Sequence, residues 1–558
     1  MKTKLLLLSS IATLNSFAQA PDYLWAKSTA GSSFEDARSV TTDASGNVLV
    51  AGFFNSATVT FGSSTLTNAG TGNYDMFLVK YDANGNVLWA KNAGGSNIES
   101  ANSVTADASG NIYVAGQFQS ATITFGSTTL TNAGLTDGFL VKYDGAGNVL
   151  WAKKAGGSSY DYAFSVTADA SGNVIVVGEF QSATITFGST TLTTAGLTDM
   201  FLVKYDANGN VLWAKGAGGS NYDVPFSVNA DALGNVLVTG DFKSATITFG
   251  SVTLNNAGNY DIFLAKYDAN GNLFWAKSAG GNLDDYAQSI AVDASGNVFA
   301  AGDFKSSTIA FGSSTLTNID NTASTTDIFL AKYDSNGNVL WAKNPGGNSS
   351  DNALSVAADG SGNIIVAGDF QSPSLVFGSV TVPNSDNLGN TVDMFVAKYN
   401  ANGNALWAKS TGGSDYDYAE AVAIDVSGNV LVAGQFGSVS LDFGSTTLAN
   451  TDNTSATNDM FVAKIATVAG IEGPLQADKN RISIYPNPFN SYATIQLNTE
   501  INNSYLTIYN IFGQAIKNTN VTGGKIKIDR DNLLSGIYYI HLTKDNKTIA
   551  TEKLIITD

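Results

Sequence analysis

One unit of 62 to 66 residues repeats along most of the chain, and this repetition limits the possible folds more than any other feature. All seven tryptophans lie in the tripeptide WAK, at successive spacings of 64, 62, 62, 62, 66 and 66 residues. They are Trp25, Trp89, Trp151, Trp213, Trp275, Trp341 and Trp407. Repetition at this scale indicates a solenoid, an array or a propeller.

The residues within a unit predict strands. One unit reads AFSVTADASGNVIVVGEF, then a Thr-rich stretch QSATITFGSTTLTTAGLT, then DMFLVKYDANGNVLWAK. It is rich in Val, Ile and aromatic residues, is divided by Gly and Asn turns, and has no helical period. The strands are almost continuously apolar, which is typical of a sheet that is covered on both faces. We expect four main strands per unit.

The order of strands at the two ends predicts a closed ring. The chain begins with a lone fourth strand, YLWAK at 23–27, and its last unit ends after the third strand, at 459–466. A solenoid would leave both ends open, whereas a ring takes the missing outer strand from the N-terminus. We therefore predict an all-β fold, a seven-bladed β-propeller with four-stranded blades over residues 21–466.

Several segments of the repeat resemble a known family. WAKSTGG, DASGNV, VAGDF, TFGSTTL and FLVKYDANGNVLWAK are similar to the bacterial β-propeller repeats of the SBBP type, across residues 21–466. The resemblance implies the same propeller fold. It implies no activity, since that family is mostly uncharacterised.

The first residues, MKTKLLLLSSIATLNSFAQA, have the layout of a secretory signal peptide: two lysines, an apolar run and then small residues. We expect cleavage after Ala18, so that residues 1–18 are removed. No later segment approaches the roughly 20 apolar residues that span a bilayer. The mature chain is therefore expected to have no membrane span.

After a linker at 467–480, short alternating strands predict a small β-sandwich over 481–558. YPNP at 485–488, IYNIFGQAI, LLSGIYYIHL and EKLIITD resemble the type A C-terminal sorting domain of the type IX secretion system of Gram-negative bacteria. The resemblance implies that the secretion machinery is a partner of 481–558. It also implies a passage through the periplasm to the outer cell surface or the medium.

The charge of the repeat region limits its partners. Residues 21–477 contain 18 basic and 40 acidic residues, and the chain has no cysteine. This balance argues against nucleic acid and anionic membranes and is compatible with cations or neutral ligands. We expect a monomer.

Two sets of residues are candidates for ligand binding on the face that carries the inter-blade loops. The first set is an acid at one aligned position before each innermost strand, which could bind calcium or another cation, or could instead cap the preceding loop. It comprises Glu35, Glu99, Asp161, Asp223, Asp285, Asp351 and Asp417. The second set adds acids at the end of the second strand in blades three to six, beside four tyrosines. It comprises Glu179, Asp241, Asp303, Asp369, Tyr160, Tyr162, Tyr222 and Tyr286. Carboxylates and tyrosines together suit calcium or a glycan, but solvated residues on the rim would have the same sequence pattern.

Several kinds of chemistry are excluded in the repeats. The only histidine, His541, lies outside them, so they contain no Ser-His-Asp triad and no histidine-bearing zinc site. Paired carboxylates could still hydrolyse a glycan. Three hypotheses therefore stay open: a non-catalytic propeller that binds a glycan, a protein or a cation, a carboxylate-based polysaccharide hydrolase or lyase, and a structural surface or adhesion protein.

Overall fold

The computed structural model describes residues 20–29, 31–70, 72–320, 324–386, 389–451, 457–467, 482–510, 515–544 and 547–557. The predicted signal peptide and nearly all of the predicted linker lie outside these residues. The chain divides into two compact units, Met1–Val468 and Ala469–Asp558.

The first unit is a propeller of seven four-stranded antiparallel blades. In blades one to six the chain runs from the innermost strand outward through the second and third strands to the outer strand. The innermost strands of neighbouring blades contact one another and therefore surround the axis. The predicted fold is confirmed.

The strands of each type have nearly the same bounds in every blade. The innermost strands are Glu35–Thr42, Glu99–Ala106, Asp161–Ala168, Asp223–Ala230, Asp285–Val292, Asp351–Ala358 and Asp417–Ile424. The second strands are Val48–Phe54, Ile112–Phe118, Val174–Phe180, Val236–Phe242, Val298–Phe304, Ile364–Phe370 and Val430–Phe436. The third strands are Asp75–Tyr81, Asp137–Tyr143, Asp199–Tyr205, Asp261–Tyr267, Asp327–Tyr333, Asp393–Tyr399 and Asp459–Ile465. The outer strands of blades one to six are Val87–Ala93, Val149–Ala155, Val211–Ala217, Leu273–Ala279, Val339–Lys343 and Ala405–Thr411.

The outer strand of blade seven comes from the other end of the propeller. Tyr23–Ser28 pairs antiparallel with Asp459–Ile465, and Ala26 lies opposite Ala463. The pairing covers a strand edge that would otherwise be open to other chains. The predicted closure of the ring is confirmed.

The apolar strands are buried on both faces because the blades pack against one another. In the core between blades three and four, Ile175 and Leu202 of blade three contact Val236, Val238 and Phe242 of blade four. This packing explains why the second and third strands lack the alternation of a half-exposed sheet.

Each blade also contains a two-stranded hairpin that was not among the four predicted strands. In blade two, Ile123 and Phe125 of the hairpin are buried, and the hairpin contacts the outer strands of its own and of the preceding blade. It therefore fills the rim between neighbouring blades. The hairpins are Thr58–Phe61 with Ser64–Thr67, Thr122–Phe125 with Thr128–Thr131, Thr184–Phe187 with Thr190–Thr193, Thr246–Phe249 with Val252–Asn255, Thr308–Phe311 with Ser314–Thr317, Ser374–Phe377 with Val380–Pro383 and Ser440–Phe443 with Thr446–Ala449.

The repeated segment DANGN is the turn between the third and outer strands. In blade one, Asp82 Oδ1 accepts hydrogen bonds from the backbone N–H groups of Asn84 and Asn86, at 2.9 and 2.8 Å. Gly85 has a φ of 80°, in the left-handed region that glycine adopts without steric cost. The aspartate therefore closes a tight turn and is engaged by the chain itself.

This turn is also where neighbouring blades hold each other. The indole N–H of Trp25 in blade seven donates to the Ala83 carbonyl oxygen in blade one at 3.1 Å, and Lys464 Nζ donates to the same oxygen at 3.2 Å. We call this contact of a tryptophan with the next blade's turn the inter-blade latch. It recurs between Trp89 and Gly145, Trp151 and Ala207, Trp213 and Ala269, Trp275 and Ser335, and Trp341 and Ala401.

The second unit is a small, nearly closed β domain, as predicted. Its five strands are Ile482–Tyr485, Tyr492–Tyr509, Ala515–Asp529, Gly536–Lys544 and Lys547–Ile556. The long strand Tyr492–Tyr509 pairs with the first, third and fourth of these and has irregular register. The hydrophobic core of this second unit contains Ile495, Ile508, Ile540 and Leu554.

Replacing the latch glycine should destabilise the ring. A Cβ on Gly85 would lie 3.0 Å from Trp25 Cδ2, whereas a Cβ on Gly110, with a φ of 81°, would meet nothing within 4 Å. Gly110→Ala therefore reports backbone strain alone, about 1–2 kcal/mol. Gly85→Ala adds overpacking, about 1 kcal/mol or more. Urea denaturation followed by tryptophan fluorescence measures both, and equal losses would show that the tryptophan contact adds nothing.

Candidate functional site

The seven acids of the first predicted set are fully buried. Six of them accept hydrogen bonds from the chain, whereas the carboxylate oxygens of Glu35 have no hydrogen-bond partner among the described residues. Asp161 Oδ2 accepts from the Gly157 N–H at 2.6 Å and from the Ser182 hydroxyl at 2.6 Å. Asp223 makes the same bonds with Gly219 and Ser244. Each of the seven side chains has 0% exposure. This geometry favours the structural alternative, in which the acid fastens the inter-blade loop, and the role of these seven in ligand binding stays a prediction.

A further buried acid opens every third strand, and the sequence analysis did not single it out. Asp199 accepts from the Ala195 N–H at 2.7 Å, and a Cβ on Gly218 would lie 2.2 Å from its carboxyl carbon. Burial raises the pKa of Asp199 to about 6. The signal in the sequence was the aspartate together with the glycine that follows the outer strand in every unit. The set is Asp75, Asp137, Asp199, Asp261, Asp327, Asp393 and Asp459.

The acids of the second predicted set lie on the second strands, directly opposite the innermost strands. Glu179 pairs with Tyr162, and Asp303 pairs with Tyr286. Asp241 and Asp369 lie opposite Val224 and Asn352. All four acids are buried, with exposures of 9% for Glu179, 1% for Asp241 and 5% for both Asp303 and Asp369.

Burial and mutual repulsion make these carboxylates hard to ionise. Burial, with the nearby charge of Asp369, raises the pKa of Asp303 to about 8. Burial and the charge of Asp161 raise the pKa of Glu179 to about 7. The pKa of Asp241 is raised well above its usual range by burial, and then by Glu179 and Asp303 on the flanking blades. Charges on three successive blades therefore act on one another.

The predicted tyrosines lie beside these acids, together with aromatic residues that the sequence analysis missed. The rings of Tyr160 and Tyr162 are stacked with centroids 6.4 Å apart, and Phe164 continues the row at 5.9 Å from Tyr162. Tyr260 lies 5.6 Å from Tyr286. Phe164 occupies the bulge between Ala163 and Ser165, which breaks the strand alternation. Simple alternation could therefore not place it on the tyrosine side.

We call Tyr160, Tyr162, Glu179, Asp241, Tyr260, Tyr286 and Asp303 the acid–aromatic cluster. It spans blades three to five on the face of the inter-blade loops. Tyr160 and Tyr222, on the surface of the same face, are 38% and 40% exposed. The cluster thus combines buried carboxylates with aromatic rings that are partly open to solvent.

The closing seam between blades seven and one has a different polar group. Arg38 Nε lies 2.7 Å from Asp36 Oδ2, and its guanidinium carbon lies 5.1 Å from the centre of the Phe53 ring. Burial and the charge of Asp36 raise the pKa of Glu420 to about 7. At this seam Arg38 supplies a positive charge next to the acids Asp36 and Glu420. Glu179, Asp241 and Asp303 take part in no ion pair with the described residues.

On the opposite face, lysines pair with the repeated acids. Lys204 Nζ lies 2.8 Å from Asp169 Oδ2, and Lys80 Nζ lies 2.8 Å from Asp43 Oδ2. Burial would raise the pKa of Asp169, but the hydrogen bonds from Lys204 and Asn173 lower it below its usual range. Such a pair is present in five blades, where the positive lysine offsets the charge of the turn aspartate. Glu179, Asp241 and Asp303 of the cluster have no such partner among the described residues.

Two further features bear on possible ligands and location. Within the described ranges, no three His, Cys, Asp or Glu side chains form a group that could hold a metal ion. In the same part of the chain, no helix is long and apolar enough to cross a membrane.

Comparison with known proteins identifies the second unit. Residues 483–557 match the family described as the secretion system C-terminal sorting domain. The chain is thus a seven-bladed β-propeller that carries a type IX sorting domain. This family implies export by the type IX secretion system to the cell surface or the extracellular space.

Two known proteins have sequences similar to this chain. An uncharacterised WD repeat-containing protein, L264 of Acanthamoeba polyphaga mimivirus, is 25% identical over an alignment of 530 residues that covers 79% of this chain and 38% of the relative. The regulatory protein FlaEY of Caulobacter vibrioides is 29% identical over 206 residues, 36% of this chain and 21% of that protein. The chain thus spans less than two fifths of the length of these relatives.

The matches among solved structures have low sequence identity and low structural similarity. The Neurospora crassa Pan2 WD40 domain is 8% identical with a TM-score of 0.39, over 79% of this chain and 96% of that one. PorZ, a surface component of the type IX secretion system of Porphyromonas gingivalis, is 12% identical with a TM-score of 0.26, over 94% of this chain and 81% of that one. Likenesses of this size carry no information about function.

The raised pKa values predict that the propeller is less stable at pH 8 than at pH 5. Asp303 has a pKa of about 8, and those of Asp351 and Asp417 are about 7, whereas an unfolded aspartate titrates near about 3.9. Between these values the folded protein binds more protons than the unfolded chain, so the free energy of unfolding falls as pH rises. Urea denaturation midpoints from pH 5 to pH 8 measure this.

Matched variants assign the effect to the buried acids. Asp303→Asn cannot ionise and should flatten the pH dependence. Asp442→Asn removes one charge from an exposed hairpin strand and should leave the dependence unchanged. A free energy of unfolding that increases from pH 5 to pH 8 would contradict the assignment.

Proposed function

We propose that this exported propeller is a non-catalytic binding protein that takes a glycan, protein or cationic ligand at the acid–aromatic cluster. One observation carries the proposal. The same second-strand position holds an acid in blades three to six but Phe53, Gln117 and Gln435 in blades one, two and seven. The fold therefore tolerates a neutral residue there, and the buried acids are not required for folding.

The cost of these acids supports a role in binding. A buried carboxylate without a counter-charge destabilises a protein, and strongly perturbed groups concentrate at functional sites. A sevenfold scaffold offers equivalent positions all round the ring, yet the acids and the stacked rings coincide in blades three to five. Such a local departure from symmetry is where a specific ligand is expected.

The aromatic rings determine which ligands fit. Half-exposed rings such as Tyr160 and Tyr222 offer flat apolar faces, and phenol hydroxyls add hydrogen bonds. Sugar rings, protein side chains and cations all bind to such faces beside carboxylates. The location outside the cell gives access to each of these. We also propose that the repeats are of the bacterial SBBP type.

A carboxylate-based hydrolase or lyase is the second candidate, and the perturbed acids favour it. Glu179 and Asp303, with pKa values of about 7 and 8, would be partly protonated at neutral pH, as a general acid requires. Incubation of the mature protein with polysaccharides tests this. Turnover that Glu179→Gln abolishes would replace the binding proposal.

A glycan, protein and cation binding screen of the mature protein, with and without calcium, tests the binding proposal. Tyr222→Ala removes an exposed ring beside the cluster and should weaken binding of the identified ligand at least tenfold. Leu212→Ala removes an exposed side chain from the outer strand of the preceding blade, and should leave affinity unchanged. Equal affinity of Tyr222→Ala and wild type would place the ligand elsewhere.

Deletion of residues 483–557 tests the role of the sorting domain. The truncated protein should accumulate in the periplasm, because the segment that interacts with the outer-membrane machinery is missing. Immunoblots of the periplasm, cell surface and medium measure this. Unchanged surface or extracellular amounts would show that the domain is dispensable for export.

A further inference from the structure

Asp241 is the least satisfied acid of the cluster. Its side chain is 1% exposed, and its Oδ1 has no hydrogen-bond partner among the described residues. In a protein interior such an atom loses its hydration without replacement, which costs free energy. The chain itself therefore leaves one acceptor in the cluster unused.

The acidic neighbours of Asp241 add negative charge, and none of the described residues forms an ion pair with it. Glu179 and Asp303 on the flanking blades, and Asp223 and Asp284 nearby, all raise its pKa. On the opposite face of the same blade, Asp231 has Lys266 Nζ at 3.1 Å from its Oδ2. Blade four thus pairs Asp231 with a lysine on one face and leaves Asp241 without an ion pair on the other.

The aromatic surroundings suit a cation. Burial raises the pKa values of Tyr260 and Tyr286, and the negative charge of Asp241 raises both further. Lys243 Nζ lies 5.0 Å from the centre of the Tyr260 ring. An ammonium group of the chain is therefore already held at this ring, in the geometry of a cation–π contact.

We propose that an organic cation with primary ammonium or guanidinium groups binds beside Asp241, with one group paired to Asp241 Oδ1 and lying against the Tyr260 and Tyr286 rings. Glu179 and Asp303 lie one blade to either side, so a ligand with more than one positive group satisfies several carboxylates at once. This inference rests on the proposed function, since it names the ligand class of the same site.

Binding requires ionised carboxylates and so depends on pH. The titratable and charged groups that face Asp241 are Glu179, Asp223, Asp284, Asp303, Tyr260 and Tyr286, with Lys243 on the Tyr260 ring. Since the neighbouring acids oppose ionisation, a cation must displace protons as it binds. Affinity should therefore be higher at pH 8 than at pH 5.5.

Isothermal titration of the mature protein with spermidine, and separately with a lysine-rich peptide, tests the inference. We expect saturable binding of at least one probe at pH 8, weakened at least tenfold at pH 5.5. The two probes distinguish a free polyamine from the side chains of a protein as the source of the ammonium group. Absence of saturable binding by both probes at pH 8 would overturn the inference.

Matched variants separate a specific site from attraction by the acidic surface. Asp241→Asn should weaken binding at least tenfold. Glu179→Gln should also weaken binding at least tenfold, and it replaces Asp241→Asn as the test if that variant does not fold. Asp442→Asn removes the same charge from an exposed hairpin and should change affinity less than twofold. Equal effects of Asp241→Asn and Asp442→Asn would overturn the inference. A ligand whose binding depends on Tyr222 but not on Asp241 would also overturn it, and would leave the proposed function standing.

Discussion

The ring depends on the contact between a tryptophan of one blade and the glycine turn of the next. Gly85 has a φ of 80° and no side chain, so Trp25 can pack directly against its backbone. The indole N–H of Trp25 also donates a hydrogen bond to the Ala83 carbonyl oxygen. Lys464 donates to the same carbonyl oxygen. Trp25 and Lys464 come from opposite ends of the propeller sequence. The junction of blades seven and one therefore repeats the contact that is found at five other blade junctions. The pairing of Tyr23–Ser28 with Asp459–Ile465 covers the edge of the last third strand.

The same repetition gives the two faces different electrostatics. On the turn face, a lysine such as Lys204 pairs with the acid of its own blade, here Asp169. On the loop face, Asp161 is satisfied by N–H and hydroxyl donors, which stabilise a carboxylate but do not cancel its charge. In blades three to five, the additional acids Glu179, Asp241 and Asp303 form no ion pair with the described residues and lie near one another. Their pKa values rise because a low-dielectric interior disfavours several like charges together.

The sequence predicted the ring because strand order alone shows that YLWAK completes the last blade. It also placed Glu179, Asp241 and Asp303 at equivalent positions beside the tyrosines. It did not predict burial, since the Gly157 and Ser182 donors that surround Asp161 converge only in the folded blade. The hairpin was missed because TITF was treated as part of a loop, although its alternation of exposed Thr with buried Ile and Phe is a strand signal. Phe164 was missed because its bulge breaks that alternation.

Charge and stability are linked at the acid–aromatic cluster. At neutral pH each acid of the cluster is either ionised close to other negative charges or still protonated. Both states are less favourable than an ionised carboxylate that is exposed to water. A ligand that brings positive charge removes this conflict in the folded state only, because the unfolded chain has no such cluster. Its binding therefore stabilises the propeller by mass action. Asp241 destabilises the unliganded fold because it is buried without a partner. A ligand that pairs with Asp241 relieves this destabilisation, and the free energy so gained contributes to its affinity.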